Sequence, residues 1–290
     1  MPQSMRERVC LVTGASNGIG KAAAIKLANM GASLVLLCRD RDRGETAMAE
    51  ISLRSGNEDI DLLVADLGSL HQVRAAAGAF LESRRPLHVL VNNAGAIHMD
   101  RSLTEDGVET TFAVNHLGHF LLTTMLLARM RESGPARIVN ISSEAHRIGY
   151  GDGRMAFDDL MGERQYGGWK AYGQSKLANI LFTRELARRL NPAEVTVNAM
   201  HPGVVASEFG RNNRKGWMPW LQALYRPFCR SNEKGADTAV WLAATPEIEG
   251  VTGKYFKDRK VRTPAHQALD GDDAARLWRI SEELTGLETP

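Results

Sequence analysis

Short apolar runs alternate with stretches of helical period along the first two-thirds of the chain. Val9 to Val12, Ser33 to Cys38, Asp61 to Ala65, Val89 to Val91, Arg137 to Ile141 and Val195 to Ala199 read as strands. Ile19 to Met30 and the long Glu105 to Met130 carry apolar positions at the spacing of one buried helical face. Near-continuous runs such as Leu34-Val35-Leu36-Leu37 suit strands covered on both sides. Strand and helix in alternation predict an α/β fold, a Rossmann-type doubly wound parallel sheet of about seven strands flanked by helices on both faces. Asp272 to Leu284 reads as a terminal helix that caps the core.

Two stretches break the alternation and are expected as insertions beside a ligand site. Gly149 to Gly168 is rich in Gly and Asp, and Gly210 to Arg230 mixes basic residues with Trp217, Met218, Trp220, Leu221, Leu224, Tyr225 and Phe228. The second follows a Pro202-Gly203 turn at the C-terminal edge of the sheet, so a substrate lid ranks first for it, ahead of a membrane-surface segment. No linker separates these parts, and residues 1–290 are read as a single dinucleotide-binding domain.

Composition removes several function classes. With 36 Lys and Arg against 34 acids the formal charge is +2, so neither a nucleic-acid arm nor an acidic tail is indicated. Cys10, Cys38 and Cys229 are odd in number and far apart, which fits a reducing cytoplasm better than a disulfide framework. The first eight residues lack an apolar signal core, and no later run reaches the roughly 18 apolar residues of a membrane helix. A soluble cytoplasmic protein with no integral membrane segment is therefore expected. His116 and His119 share a helix face, but no third ligand follows at a zinc spacing, and no metal is expected.

The chemistry begins at Thr13-Gly14-Ala15-Ser16-Asn17-Gly18-Ile19-Gly20, directly after the first strand. Three glycines at a strand-to-helix turn let the backbone approach a pyrophosphate, and the following helix offers its N-terminal amides. At the end of the second strand, where a carboxylate would bind a ribose hydroxyl, stands Arg39 with Asp40 next to it. A guanidinium suits a 2′-phosphate, so NADP(H) is expected over NAD(H), with Asp40 as the complication. Asp66 and Leu67 after the third strand, and Asn92-Asn93-Ala94-Gly95 after the fourth, lie where such sheets bind ligands, though each also suits a cap or a turn. Finally, Tyr172 and Lys176 are one helical turn apart, so an ammonium and a phenol share a face.

In order and spacing these residues, with Asn115, Ile138-Val139-Asn140-Ile141-Ser142-Ser143 and Pro202-Gly203, resemble the short-chain dehydrogenase/reductase family over nearly the whole chain. Asn115-His116-Leu117-Gly118-His119-Phe120, Ser175-Lys176-Leu177-Ala178-Asn179, His201-Pro202-Gly203-Val204-Val205 and Gly250 to Phe256 look like its retinol dehydrogenase group, with WW-domain-containing oxidoreductases and protochlorophyllide reductases among the relatives.

The resemblance implies a catalytic tetrad of Asn115, Ser143, Tyr172 and Lys176. Physics alone does not separate Ser142 from Ser143, although only one of two adjacent strand residues can face the site. It further implies cofactor contacts from Gly14, Ser16, Asn17, Gly18, Ile19, Gly20, Arg39, Asp66, Leu67, Asn93, Ala94, Gly95, Tyr172, Lys176, Pro202, Gly203, Val205 and Ser207. Lys176 is expected to draw the Tyr172 phenol down to about 7 to 8, and Asn115 to hold a water that links Lys176 to solvent. The reaction implied is hydride transfer between NADP(H) and an apolar carbonyl/alcohol pair, retinal-like or another aldehyde or ketone. Reduction of a carbon–carbon double bond and a non-catalytic dinucleotide-binding regulator are the alternatives. A hydrophobic N-terminal anchor like that of microsomal retinol dehydrogenases is not expected, nor is supply of a membrane-embedded retinoid. Family members commonly dimerise through the helix bearing Tyr172, whose Leu177, Ile180, Leu181 and Leu186 are expected to offer apolar surface for a homodimer.

Overall fold

In the computed structural model, which describes residues 4–205 and 229–287, all six predicted apolar runs form strands. They are β1 (Val9–Thr13), β2 (Ser33–Cys38), β3 (Ile60–Val64), β4 (Val89–Asn92), β5 (Ala136–Ile141) and β6 (Val195–His201). Joining them are α1 (Gly18–Asn29), α2 (Arg41–Ser55), α3 (Leu70–Glu82), α4 (Thr110–Ser133) and α5 (Gly168–Arg189). The chain closes with α6 (Asn232–Ala244), β7 (Tyr255–Lys257), β8 (Lys260–Val261) and α7 (Gly271–Thr285).

The eight strands form one sheet in the order β3-β2-β1-β4-β5-β6-β7-β8. All neighbours pair parallel except β7 with β8, which are antiparallel. The sheet therefore has one strand more than expected. Asp258 and Arg259, both at positive φ, turn the chain between β7 and β8. Strand order reverses between β1 and β4, and the crevice at their C-terminal ends is where open α/β sheets bind ligands.

Alternation along β1 and β2 feeds two of the cores, one on each face of the sheet. Cys10, Val12, Leu34 and Leu36 pack with α1, α2 and α6, while Val9, Leu11, Val35 and Leu37 pack with α3, α4, α5 and Trp278 of α7. Helix ends carry their own signals. Asp40 accepts a hydrogen bond from the Arg43 amide to start α2, and Asp270 accepts from Asp272 and Asp273 to start α7.

Two expectations are corrected. The helix forecast from Glu105 begins at Thr110, because Asp106 accepts from the Leu70 amide at 2.9 Å and Glu105 bonds to Ser69. Those carboxylates serve the start of α3, and Glu109 caps α4 through the Thr111 and Phe112 amides. Leu177, Ile180, Leu181 and Leu186 are buried inside the chain and do not supply the exposed apolar surface expected of them. By length and composition α4 is apolar enough to cross a membrane, but most of it is buried in the fold, as in a core helix.

Candidate active site

Thr13, the last residue of β1, is the hub of the crevice. Its hydroxyl accepts from the Asn93 and Ala94 amides at 2.9 and 3.0 Å and lies 3.0 Å from His119 Nε2. His119 Nδ1 is 3.1 Å from the Asn115 carbonyl, which can only accept, so Nδ1 carries the proton and Nε2 accepts from Thr13. Burial keeps this ring neutral, with its pKa lowered to about 4. One chain of hydrogen bonds thus joins α4 to the turn after β1. Neither Thr13 nor His119 was singled out as a site residue; a hydroxyl at the end of β1 facing the fourth strand was the available signal.

The glycine turn fits a dinucleotide. A Cβ on Gly14 would stand 2.8 Å from Ala94 Cα, and one on Gly20 would strike the Gly14 carbonyl, so only bare backbone allows this close approach. Asn93 Nδ2 donates to the Thr13 carbonyl at 2.8 Å and holds the turn from β4. Asn17 supplies no side-chain cap to α1, which leaves the first-turn amides of that helix to a ligand. Ser16 bonds to the Cys38 thiol at the tip of β2. Asn92 instead points into the core, donating to Thr123 and Asn140.

At the adenosine end, Arg39 is 64% exposed on its side chain and 4.0 Å from Asp66. Asp40, the expected complication, is committed to capping α2. Asp66 accepts from the Gly68 amide at 2.8 Å, while Ser69 caps α3. The backbone of Leu67 lies against Gly118 of α4, where a Cβ would collide with the Leu67 carbonyl. Beyond β6, a bridge between Val205 and Arg230 follows Pro202-Gly203, and Val205 abuts Gly235 beside Ile19. Ser207 and Trp217 to Phe228, expected as a lid, lie outside the described residues.

Asn115 sits in a π-helical stretch, Ala113–Leu117, within α4. Its Oδ1 accepts from the Ala96 amide at 2.7 Å, and its Nδ2 donates to the Ala96 carbonyl at 2.8 Å and to Ser175 at 2.9 Å. Asn115 thereby ties the loop after β4 to α5. Gly95 faces both the Asn115 carboxamide and the Lys176 ammonium.

The adjacent serines separate cleanly. Ser142 donates to the Lys176 carbonyl at 2.7 Å, inside the fold. Ser143 hydrogen-bonds the Tyr172 hydroxyl. Its Oγ also accepts from the Ala145 amide at 3.1 Å, which leaves the Ser143 proton to be donated.

Lys176 Nζ lies 5.6 Å from the Tyr172 ring centroid and donates to the Ile141 carbonyl at 3.0 Å. The expectation of a phenol drawn down to about 7 to 8 is corrected here. Burial dominates and pushes Tyr172 up to about 12, opposed by the Ser143 hydrogen bond. Burial likewise lowers Lys176 to about 8.

That lysine makes a testable demand on stability. Its proton is held less tightly in the folded protein than in the unfolded chain, so the burial penalty is complete below about pH 8. The penalty is relieved as pH rises from about 8 toward 10.5, where the unfolded chain alone remains protonated. The drop from 10.5 to about 8 corresponds to about 3 kcal/mol. Lys176→Met is therefore expected to stabilise the apoprotein at pH 7 and to abolish the rise above pH 8. Urea denaturation of both proteins at pH 7 and pH 9.5 checks this, and parallel pH curves would count against it.

Trp169, edge-on to Tyr172 at 6.2 Å between centroids, is 45% exposed, and Ile148 is exposed nearby. Sequence reasoning passed over both. Within the insertion Gly149 to Gly168, Gln174 of α5 bonds Arg154 and Ala156. Tyr166 donates toward the His98 carbonyl at 2.8 Å, holding that segment beside the loop after β4.

The model of the short chain dehydrogenase family matches residues 8–155 and 160–217. Retinol dehydrogenase 12 of Mus musculus is 46% identical over 281 residues, spanning 97% of this chain and 87% of its own. Retinol dehydrogenase 14 of Homo sapiens is 42% identical over 301 residues, 99% of this chain and 88% of its own. A crystal structure of an uncharacterized protein from Mycobacterium paratuberculosis superposes with a TM-score of 0.80 at 31% identity, covering 100% of this chain and 97% of that one.

Proposed function

This chain belongs to the short chain dehydrogenase family, as an oxidoreductase of its retinol dehydrogenase group, and from the Ser143–Tyr172 hydrogen bond in the crevice we propose its reaction. It transfers hydride between NADP(H) and an apolar carbonyl/alcohol pair, with Tyr172 as the acid/base. The nicotinamide, when bound, supplies or takes the hydride. Gly14 to Gly20 and the open N-terminus of α1 hold the pyrophosphate. Arg39, Asp66, Leu67, Asn93, Ala94 and Gly95 line the adenosine side and the turn, and Lys176, Pro202, Gly203 and Val205 the nicotinamide side.

A substrate oxygen that replaces the Ser143–Tyr172 hydrogen bond would accept both hydroxyl protons, which polarises it and makes its carbon electrophilic. A phenol raised to about 12 is fully protonated at neutral pH. It serves as the proton donor to an oxygen that gains charge, and the alcohol-oxidising direction runs these steps in reverse. Lys176 adds positive charge beside the phenol, and Asn115 fixes α5 against the loop at Ala96.

The exposed Trp169 beside Tyr172 favours an apolar substrate. Retinal-like aldehydes, suggested by the named relatives, head the panel of aldehydes and ketones that tests the reading. NADPH oxidation matched by alcohol product supports it, and no turnover of any carbonyl overturns it. The proposed compartment is the reducing cytoplasm, on the buried thiols of Cys10 and Cys38.

Preference for NADP(H) rests on Arg39, open beside Asp66, while Asp40 is occupied by its helix. Losing a charge-assisted bond of about 1.5 to 3 kcal/mol predicts that Arg39→Ala raises KM for NADPH about 10- to 100-fold and leaves NADH little changed. Steady-state kinetics with both cofactors provide the check. An unchanged preference would remove Arg39 from the 2′-phosphate site.

A further inference from the structure

Ser143 caps the short 3-10 helix Glu144–Arg147, whose third residue, His146, is only 1% exposed and has no part in the reaction above. His146 Nδ1 lies 2.6 Å from the Ser143 carbonyl, and Nε2 lies 2.9 Å from the Ala265 amide. A carbonyl accepts and an amide donates, so the ring is neutral with its proton on Nδ1, and both nitrogens are used. Tyr255 of β7 packs edge-on against the ring at 5.2 Å. The next residue, Arg147, reaches the same segment through the Thr263 carbonyl at 3.1 Å.

The Ser143 carbonyl also accepts from the His146 amide at 3.0 Å. On the opposite side of Ser143 its Oγ is aimed at Tyr172 by the Ala145 amide. The serine is thus clamped from behind by an imidazole anchored to residues more than a hundred positions away in the chain.

We propose that His146 is a positioning residue: it fixes the Ser143 hydroxyl against Tyr172 and couples that geometry to the chain segment at Ala265. The inference rests on the reading of Ser143 as a hydroxyl that acts on substrate. An amide side chain can mimic each half of the clamp. His146→Asn keeps a donor near Nδ1 for the Ser143 carbonyl, and His146→Gln keeps an acceptor near Nε2 for Ala265.

Two readouts are followed, kcat with an apolar aldehyde and amide hydrogen exchange at Ala265. His146→Gln is expected to lower kcat about 10- to 100-fold with KM little changed and Ala265 still protected. His146→Asn is expected to retain most of kcat while exchange at Ala265 accelerates. Because His146 acts through Ser143, the double variant with Ser143→Ala should be no slower than Ser143→Ala alone. Multiplicative losses, or wild-type kcat in His146→Gln, would overturn the proposal. Should His146→Gln not fold, His146→Asn decides: kcat as low as in Ser143→Ala overturns the clamp, and near-normal kcat supports it. Full turnover in Ser143→Ala would instead overturn the reading of the active site, and the clamp with it.

Discussion

Tyr172→Phe is expected to cut turnover between about 10²- and 10⁴-fold, the range a positioned acid contributes. The fold should barely register the change. The ring stays packed against Trp169 and beneath Lys176, and the hydrogen bond with Ser143 is lost, so stability should move by about 1 kcal/mol. Cofactor affinity, read by quenching of protein fluorescence, should be close to wild type. Lost turnover with intact binding separates a proton donor from a residue that shapes the pocket. Turnover within a few-fold of wild type would remove Tyr172 from the chemistry.

Gly173→Ala is expected to be the most damaging single-methyl change near the site. A Cβ at that position of α5 collides with the Ile148 carbonyl and stands 2.7 Å from the Ala145 carbonyl. Both obstacles are backbone and belong to the segment just after Ser143, so neither can swing aside like a side chain. A cost of about 3 kcal/mol or more follows from overpacking of this kind. The urea midpoint should fall with little change in slope. Because the displaced segment carries Ser143, kcat should fall as well, even at temperatures where the variant remains folded. Wild-type stability would mean that α5 and this segment are not in close backbone contact.

Much of this was legible in the chain because the physics was local. Leu34 to Leu37 are buried on both faces of the sheet, and such runs announce central parallel strands. The turn from Thr13 to Gly20 is legible for a similar reason: glycine at close-approach positions leaves a spacing that survives in one dimension. What escaped depended on distant partners. The helix was expected from Glu105, but Glu105 and Asp106 serve α3 across the fold. β8 is only two residues long, and its turn uses Asp258 and Arg259 without a glycine or asparagine to mark it. Leu177, Ile180, Leu181 and Leu186 showed that α5 had apolar surface, but not that this same chain covers it.

The proton equilibria were the least legible. A phenol one turn from an ammonium reads as an activated pair, yet neither spacing nor residue type reports how dry the pair is. In the fold both are buried, and each is pushed toward its neutral form, tyrosine up and lysine down. The Ser142 and Ser143 ambiguity had the same origin, because it is the position of α5 that gives Ser142 a carbonyl and Ser143 a phenol.

The terminal helix α7 constrains when this protein can fold. Trp278 stacks on Phe182 and packs edge-on to Phe120, His116 bonds to Ser281, and Arg74 of α3 reaches the Thr285 carbonyl. The core around Trp278 is therefore finished by residues that leave the ribosome after every strand of the sheet. Until Thr285 has emerged, the nascent chain exposes the aromatic groove between α4 and α5, an apolar surface open to chaperones and to misassociation.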